Sequence, residues 1–161
     1  DIIFLMQDKI KIYTDGAARG NPGRAGWGVV FLRGDKVFFE LGGRSDHATN
    51  NQMELMAAIK ALKAMSRLNL GMKSTVQIYA DSKYVILGIT EWITGWQKNN
   101  WRNAAKKPVL NRELWEELYA LTQKLKPKWE YVAGHSGDKW NNRADEIATS
   151  FADNEPVDLK K

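Results

Sequence analysis

The sequence predicts an α/β fold, one domain built on a mixed five-stranded sheet with helices on its faces. Three observations carry that reading. Three β-type runs come early and in succession. A segment of helical period and strong helix formers follows them, and β and helical runs then alternate to the end. Two of the β-runs also end alike, IYTDG at Ile12–Gly16 and IYADS at Ile78–Ser82, each on an aspartate followed by a small residue.

Lys9–Asp15 reads as the first strand, and GAARGNPGRAG after it as a turn-rich connection. Trp27–Arg33 and Lys36–Gly43 are two further strands, joined through Gly34-Asp35, a hairpin signal, so the three form an antiparallel meander. Thr49–Arg67 changes period: Asn50 or Asn51 can cap it, and MELMAAIKALKAM favours helix throughout. Ser74–Asp81 returns to β and Ser82–Ile89 opens a helix directly after it, which makes the long helix a crossover between parallel strands. Asn111–Leu125 is an amphipathic helix closed by Pro127, Lys128–Val132 a short strand and Asn142–Phe151 a last helix. Residues 1–8 read as an extension, 9–154 as the domain, and 155–161 as a frayed polar tail. Met6 is a candidate start, with Asp1–Leu5 upstream of it.

A chain of 161 residues, 43% hydrophobic and 27% charged, suits one soluble domain with a real core. It contains no cysteine, which rules out disulfides, thiolate metal sites and cysteine nucleophiles and is compatible with a cytoplasmic setting. No apolar run reaches the roughly 20 residues of a membrane span, and DIIFLM at the start is too short for a secretory signal. Lys and Arg number 24 against 19 Asp and Glu, a net charge of +5. Placement says more than the total. Between Trp92 and Arg112 stand Lys98, Arg102, Lys106, Lys107 and Arg112 with no acidic residue, interleaved with Trp92, Trp96 and Trp101. A solvated face is the ordinary explanation of a charge run, but stacking planes beside cations favour nucleic acid.

The acidic residues point to a site. In sheets with crossover helices, sites gather at the carboxyl ends of strands, where Asp15 and Asp81 lie. Taken alone, each reads as a turn former or helix cap. Together, on neighbouring strands, they would repel unless they share a proton or a cation. On a helical wheel Glu54 falls roughly 150° from Lys60, Lys63 and Arg67, and so points inward with Leu55, Ala58 and Leu62. A buried carboxylate needs a salt bridge or a metal; a metal shared with the two aspartates is the economical choice. Asp145 begins a helix after the loop AGHSGDKWNNRAD, and helix polarity alone would explain it. That loop also holds His135, placed as a proton shuttle would be. All the candidate ligands are oxygen donors, which favours Mg²⁺ or Mn²⁺ and two-metal phosphodiester chemistry.

TDGAARGNPG, TNNQMELMAAI, ADSKYV, GITEWITGW and GHSGDKWNNRADEIA occur in this order, and together they resemble type 1 ribonuclease H of the bacterial kind from about Lys9 to Ala152. The resemblance implies the ribonuclease H-like fold with a basic protrusion, and a metal-dependent endonuclease that cuts the RNA strand of an RNA–DNA hybrid. It implies 5′-phosphate and 3′-hydroxyl ends and two Mg²⁺ ions, with Asp15 bridging both, Glu54 and Asp81 completing one site and Asp145 the other. His135 resembles the family's loop histidine, which assists proton transfer and product release. Asn21, Asn50, Asn51 and Gln52 match positions that touch the hybrid's minor groove, where the 2′-hydroxyl marks RNA, and Thr49 a DNA-phosphate contact. Trp92, Trp96, Trp101, Lys98, Arg102, Lys106 and Lys107 fall in the segment that grips the DNA strand, with several tryptophans also packing the protrusion. The family is typically monomeric.

Departures from the pattern are specific. Lys83 stands where glutamine is frequent and turns a base-edge contact towards a phosphate contact. Gly95 replaces a polar side chain near the phosphate pocket, Asn142 an acidic residue near Asp145, and Lys139-Trp140 a proline-containing turn. Two other readings share parts of the pattern: an integrase- or transposase-like nuclease, and a hybrid-binding module without catalysis.

Overall fold

The computed structural model describes residues 8–71, 74–134 and 136–161. Its sheet is five-stranded: β1 (Asp8–Ala18), β2 (Gly23–Arg33), β3 (Lys36–Ala48), β4 (Ser74–Ala80) and β5 (Lys128–Tyr131), in the spatial order β3-β2-β1-β4-β5. β1, β2 and β3 pair antiparallel, while β4 pairs parallel with β1 and with β5. This is the mixed sheet the sequence predicts.

Period-2 alternation puts Ile10 and Ile12 of β1 on one face and Tyr13 on the other. The first face carries the main core. There Phe31, Val76 and Ile78 meet Leu55, Ile59 and Leu62 of helix α1 (Asn50–Arg67) and Trp115 and Leu118 of the helix Arg112–Leu125. On the second face Tyr13, Val30 and Leu32 pack against Ala144 and Ile147 of the last helix, Lys139–Ala152.

Two local expectations are corrected. The cap of α1 is Thr49 rather than Asn50 or Asn51: its hydroxyl accepts from the Gln52 N–H at 3.1 Å, and the Gln52 side chain accepts from the Thr49 N–H at 2.9 Å. This reciprocal pair satisfies two donors that helix geometry leaves unpaired. The helix opening at Ser82 does not stop near Ile89. It runs through α2 (Lys83–Leu87), a π-helical turn at Gly88–Trp92 and α3 (Ile93–Lys98). Gly88 lies against the Trp115 ring so closely that no β-carbon would fit.

Arg112–Leu125 is α4 and Lys139–Ala152 is α5. Residues 99–111 form the protrusion with α3. Its tryptophans make a chain of rings, Trp92 to Trp96 at 6.0 Å, Trp96 to Trp101 at 6.2 Å and Trp96 to Trp115 at 5.2 Å. The Tyr84 hydroxyl accepts from Trp115 and from Asn111, both at 3.1 Å, and ties the protrusion's base to the core.

The frayed tail is also corrected. Val157 and Leu159 pack on the second-face core, the Glu40 N–H donates to the Lys160 carbonyl at 2.8 Å, and the Lys160 N–H returns to Glu40 Oε1 at 2.9 Å. The segment docks because β3 is an edge strand with free backbone groups and because Glu40, buried beneath it, needs donors.

Candidate active site

The parallel pairing of β1 with β4 ends at Thr14 opposite Ala80, so Asp15 and Asp81 are the next residue on each chain. Asp15 is not the end of its strand, as the sequence pattern suggests. β1 runs on to Ala18 because β2 continues to pair with it up to Ala25. The two aspartates are neighbours for a different reason: their registers leave the shared ladder together.

Gly16 explains the small residue of the first motif. A β-carbon there would lie under 3.0 Å from the Glu54 nitrogen and the Met53 carbonyl carbon, so only glycine lets the start of α1 press on β1. The close approach aligns the Gly16 N–H with Glu54 Oε1 at 2.7 Å and Asp15 Oδ1 at 2.9 Å. The serine of the second motif has another cause. Ser82 caps α2, its hydroxyl accepting from the Val85 N–H at 3.2 Å.

Asp15, Glu54 and Asp81 thereby place one carboxylate oxygen each within 4.8 Å of one another, with Asp15 and Glu54 buried. Burial, then the charges of Glu54 and Asp81, push the Asp15 carboxyl far above the ordinary carboxylate range. Glu54 is pushed up by burial and by Asp81, against the hydrogen bonds from Asp15 and Gly16. Such a cluster holds protons or cations, and an all-oxygen donor set of this size suits a hard divalent ion.

Asn141 is the residue that sequence reasoning misses. It is buried, donates to Asp81 Oδ2 at 3.3 Å, and its own Oδ1 finds no partner among the described residues. Its position one residue before Asn142 is the available signal. Asn142 itself is exposed on α5. Asp145, half-buried on α5, stands outside the 4.8 Å group, yet its charge acts on Asp15 and on Arg19. Backbone at Gly134 closes over Asp81, a β-carbon there falling 3.1 Å from Asp81 Oδ2. His135 lies outside the described residues.

Asn21, Thr49, Asn51 and Gln52 line a cleft of about 490 Å³ whose other wall includes Tyr84 and Trp96. Asn50 is exposed beside it, its N–H donating to Asn21 Oδ1 at 3.0 Å. On the protrusion Lys98, Arg102, Lys106 and Lys107 are all exposed; Trp92 is exposed too, while Trp96 and Trp101 are half-buried in the ring chain. Lys83 is exposed with its ammonium 5.6 Å from the centre of the Tyr131 ring. At Gly95 a β-carbon would meet only open space.

A five-stranded mixed sheet that gathers three carboxylates at the end of its central parallel ladder, flanked by a basic aromatic protrusion, defines a nuclease of ribonuclease H type. The family model for RNase H matches residues 7–153, and the chain belongs to that family. It is 52% identical over 149 residues to a ribonuclease H of Thermosynechococcus vestitus, covering 92% of each chain. Among solved structures, LC9-RNase H1, described as a type 1 RNase H with the type 2 active-site motif, superposes with a TM-score of 0.79. At 23% identity over 93% of this chain and 74% of that one, it shows the fold alone. LC11-RNase H1, solved in complex with an RNA/DNA hybrid, matches with a TM-score of 0.68 at 28% identity, covering 90% and 97%. Family membership sets the integrase-like reading aside, and the chain is an enzyme of the ribonuclease H class.

Proposed function

We propose that the chain hydrolyses the RNA strand of RNA–DNA hybrids with two divalent ions held by Asp15, Glu54, Asp81 and Asp145, leaving 5′-phosphate and 3′-hydroxyl ends. The observation that carries this is the converging triad: three carboxylates lie together, two of them buried, and the largest influences on Asp15 and Glu54 among the described residues are burial and one another. Bound there, Mg²⁺ or Mn²⁺ would supply an activated water and neutralise charge on the leaving 3′-oxygen. The protein's part is placement. Gly16 N–H fixes Glu54 and Asp15, Asn141 holds Asp81, and α5 brings Asp145 towards Asp15. His135, which follows Gly134 in the sequence, is the candidate proton shuttle.

The cleft beside Asn21, Thr49, Asn51 and Gln52 supports a minor-groove reading of the 2′-hydroxyl, and the hybrid bound by LC11-RNase H1 agrees with that substrate class. Thr49 and Gln52 are occupied with each other in the capping box, so their contribution is a rigid groove wall as much as direct contact. Analysis of product ends tests the chemistry. Cleaved RNA should prime a polymerase without phosphatase treatment; 3′-phosphate or cyclic ends would refute the proposed hydrolysis.

The protrusion carries a separate prediction. Replacing Lys98, Arg102, Lys106 and Lys107 by Gln should weaken hybrid binding and flatten its dependence on log salt by about 0.7–0.9 for each phosphate no longer neutralised. Rate at saturating hybrid should change little. An unaltered salt slope would make the segment structural.

A further inference from the structure

We infer that the C-terminal segment Glu155–Lys161, acting through Glu40 and Arg143, is a latch that sets how α5 presents Asp145 to the carboxylate triad. The inference rests on the reading of Asp145 as a metal ligand.

Arg143 lies two residues before Asp145, so their side chains leave α5 roughly 200° apart. What fixes one therefore fixes the rotation of the other about the helix axis. The Arg143 guanidinium grips buried Glu40 of β3 through Nε at 2.7 Å and Nη2 at 3.0 Å. Nη2 also donates to the Asp158 carbonyl at 2.8 Å, and Nη1 pairs with Glu146. Glu40 Oε1 in turn accepts from the Lys160 N–H. Tail, edge strand and helix thus meet at one bidentate pair, the geometry that gives arginine its directional hold.

α5 is seated on the second-face core, where its Ala144 and Ile147 meet Tyr13, Val30 and Leu32 of the sheet. It packs on β2 over Gly26 and Gly28, where any β-carbon would strike the helix backbone at Ala144 and Ala148. At these two positions the sheet presents no side chain to key the helix rotation. At its far end α5 is held by Arg19, paired with Asp153 at 2.7 Å, and by Arg44, which donates to the Ala152 carbonyl at 2.6 Å. At its near end Asp138 caps its own first turn, and Asn141 donates to Asp81 Oδ2 at 3.3 Å beyond the end of β4. The Arg143–Glu40–tail junction ties the Asp145 end of the helix to the edge strand β3. A displacement of about 1 Å at a catalytic group can cost on the order of a hundredfold in rate, so a modest roll would be felt.

The test uses the full chain carrying Glu40→Gln, Arg143→Ala or Arg143→Lys, and a chain ending at Asn154, each in the native and the Asp145→Asn background. Cleavage is titrated with Mg²⁺ at saturating hybrid, below each variant's melting transition, and hybrid affinity is measured separately in EDTA. The latch predicts that the half-maximal Mg²⁺ concentration rises about 3–10-fold and kcat falls, with Kd for hybrid within about twofold and Arg143→Lys milder than Arg143→Ala. In the Asp145→Asn background the same changes should add nothing further. Equal losses in both backgrounds, or no change in the folded variants, would overturn the latch. If Glu40→Gln fails to fold, the chain ending at Asn154 decides, because it keeps the Glu40–Arg143 pair. Wild-type metal dependence in Asp145→Asn alone would instead refute Asp145 as a ligand, and the latch with it.

Discussion

Asp15→Asn is expected to abolish cleavage, by at least about a thousandfold, while making the metal-free protein more stable at neutral pH. Both effects come from one carboxylate. Its folded pKa is raised, by burial first and by Glu54 and Asp81 next. A group raised in this way contributes stability that is fully present below the unfolded carboxylate value of about 4 and is lost as pH rises towards the folded value. Without metal, the native protein should therefore lose stability from about pH 4 upward through neutrality. Asparagine has no charge to repel and should gain roughly 2 kcal/mol at pH 7, a gap that closes on acidification. Mg²⁺ should stabilise the native chain and leave the variant almost unmoved, since ligand binding to the folded state alone shifts unfolding. Denaturant melts at pH 4 and pH 7, with and without Mg²⁺, check each sign. Equal stability of the two proteins at both pH values would mean that the carboxylates are not in electrostatic conflict.

Gly16→Ala should be the most damaging single-methyl change at the site. Its β-carbon would meet α1 backbone at Met53 and Glu54 rather than a flexible side chain, so β1 and α1 must separate. The cost should be about 2–4 kcal/mol, the upper range for overpacking. Glu54 would also lose the Gly16 N–H, and activity should fall even where the variant stays folded. Gly95→Ala is the control. It sits in α3 with open space around the added carbon and should gain about 0.5–1 kcal/mol from helix propensity. Thermal unfolding of the pair measures both; a neutral Gly16→Ala would mean the two elements are not locked together there.

The elements legible in the sequence share a local cause. Hydrophobic period places all five strands and turns Glu54 inward, because a carboxylate among Leu55, Ala58 and Leu62 has only one face to occupy. Illegible features depend on partners far away in the chain. Asp15 stays in its strand only because Ala18 finds Ala25 on β2. Glu40 reads as an ordinary edge-strand residue until Arg143, 103 positions later, and the tail are brought onto it. The tail itself looks polar; its two apolar residues, Val157 and Leu159, reveal a docking segment only once the second-face core is in place. Asn141 escapes for a related reason, since burial against Asp81 follows from how α5 crosses the sheet and not from its neighbours in sequence.

One measurement bears most directly on the converging carboxylates as a hybrid-cutting site. RNA labelled at its 5′ end would be offered alone, paired with RNA and paired with DNA, with Mg²⁺ or EDTA, to the native chain and to Asp81→Asn. Cutting confined to the DNA hybrid, dependent on Mg²⁺ and lost in Asp81→Asn, is the predicted result. Cutting that persists in EDTA or in Asp81→Asn, or that extends to single-stranded RNA, would contradict it.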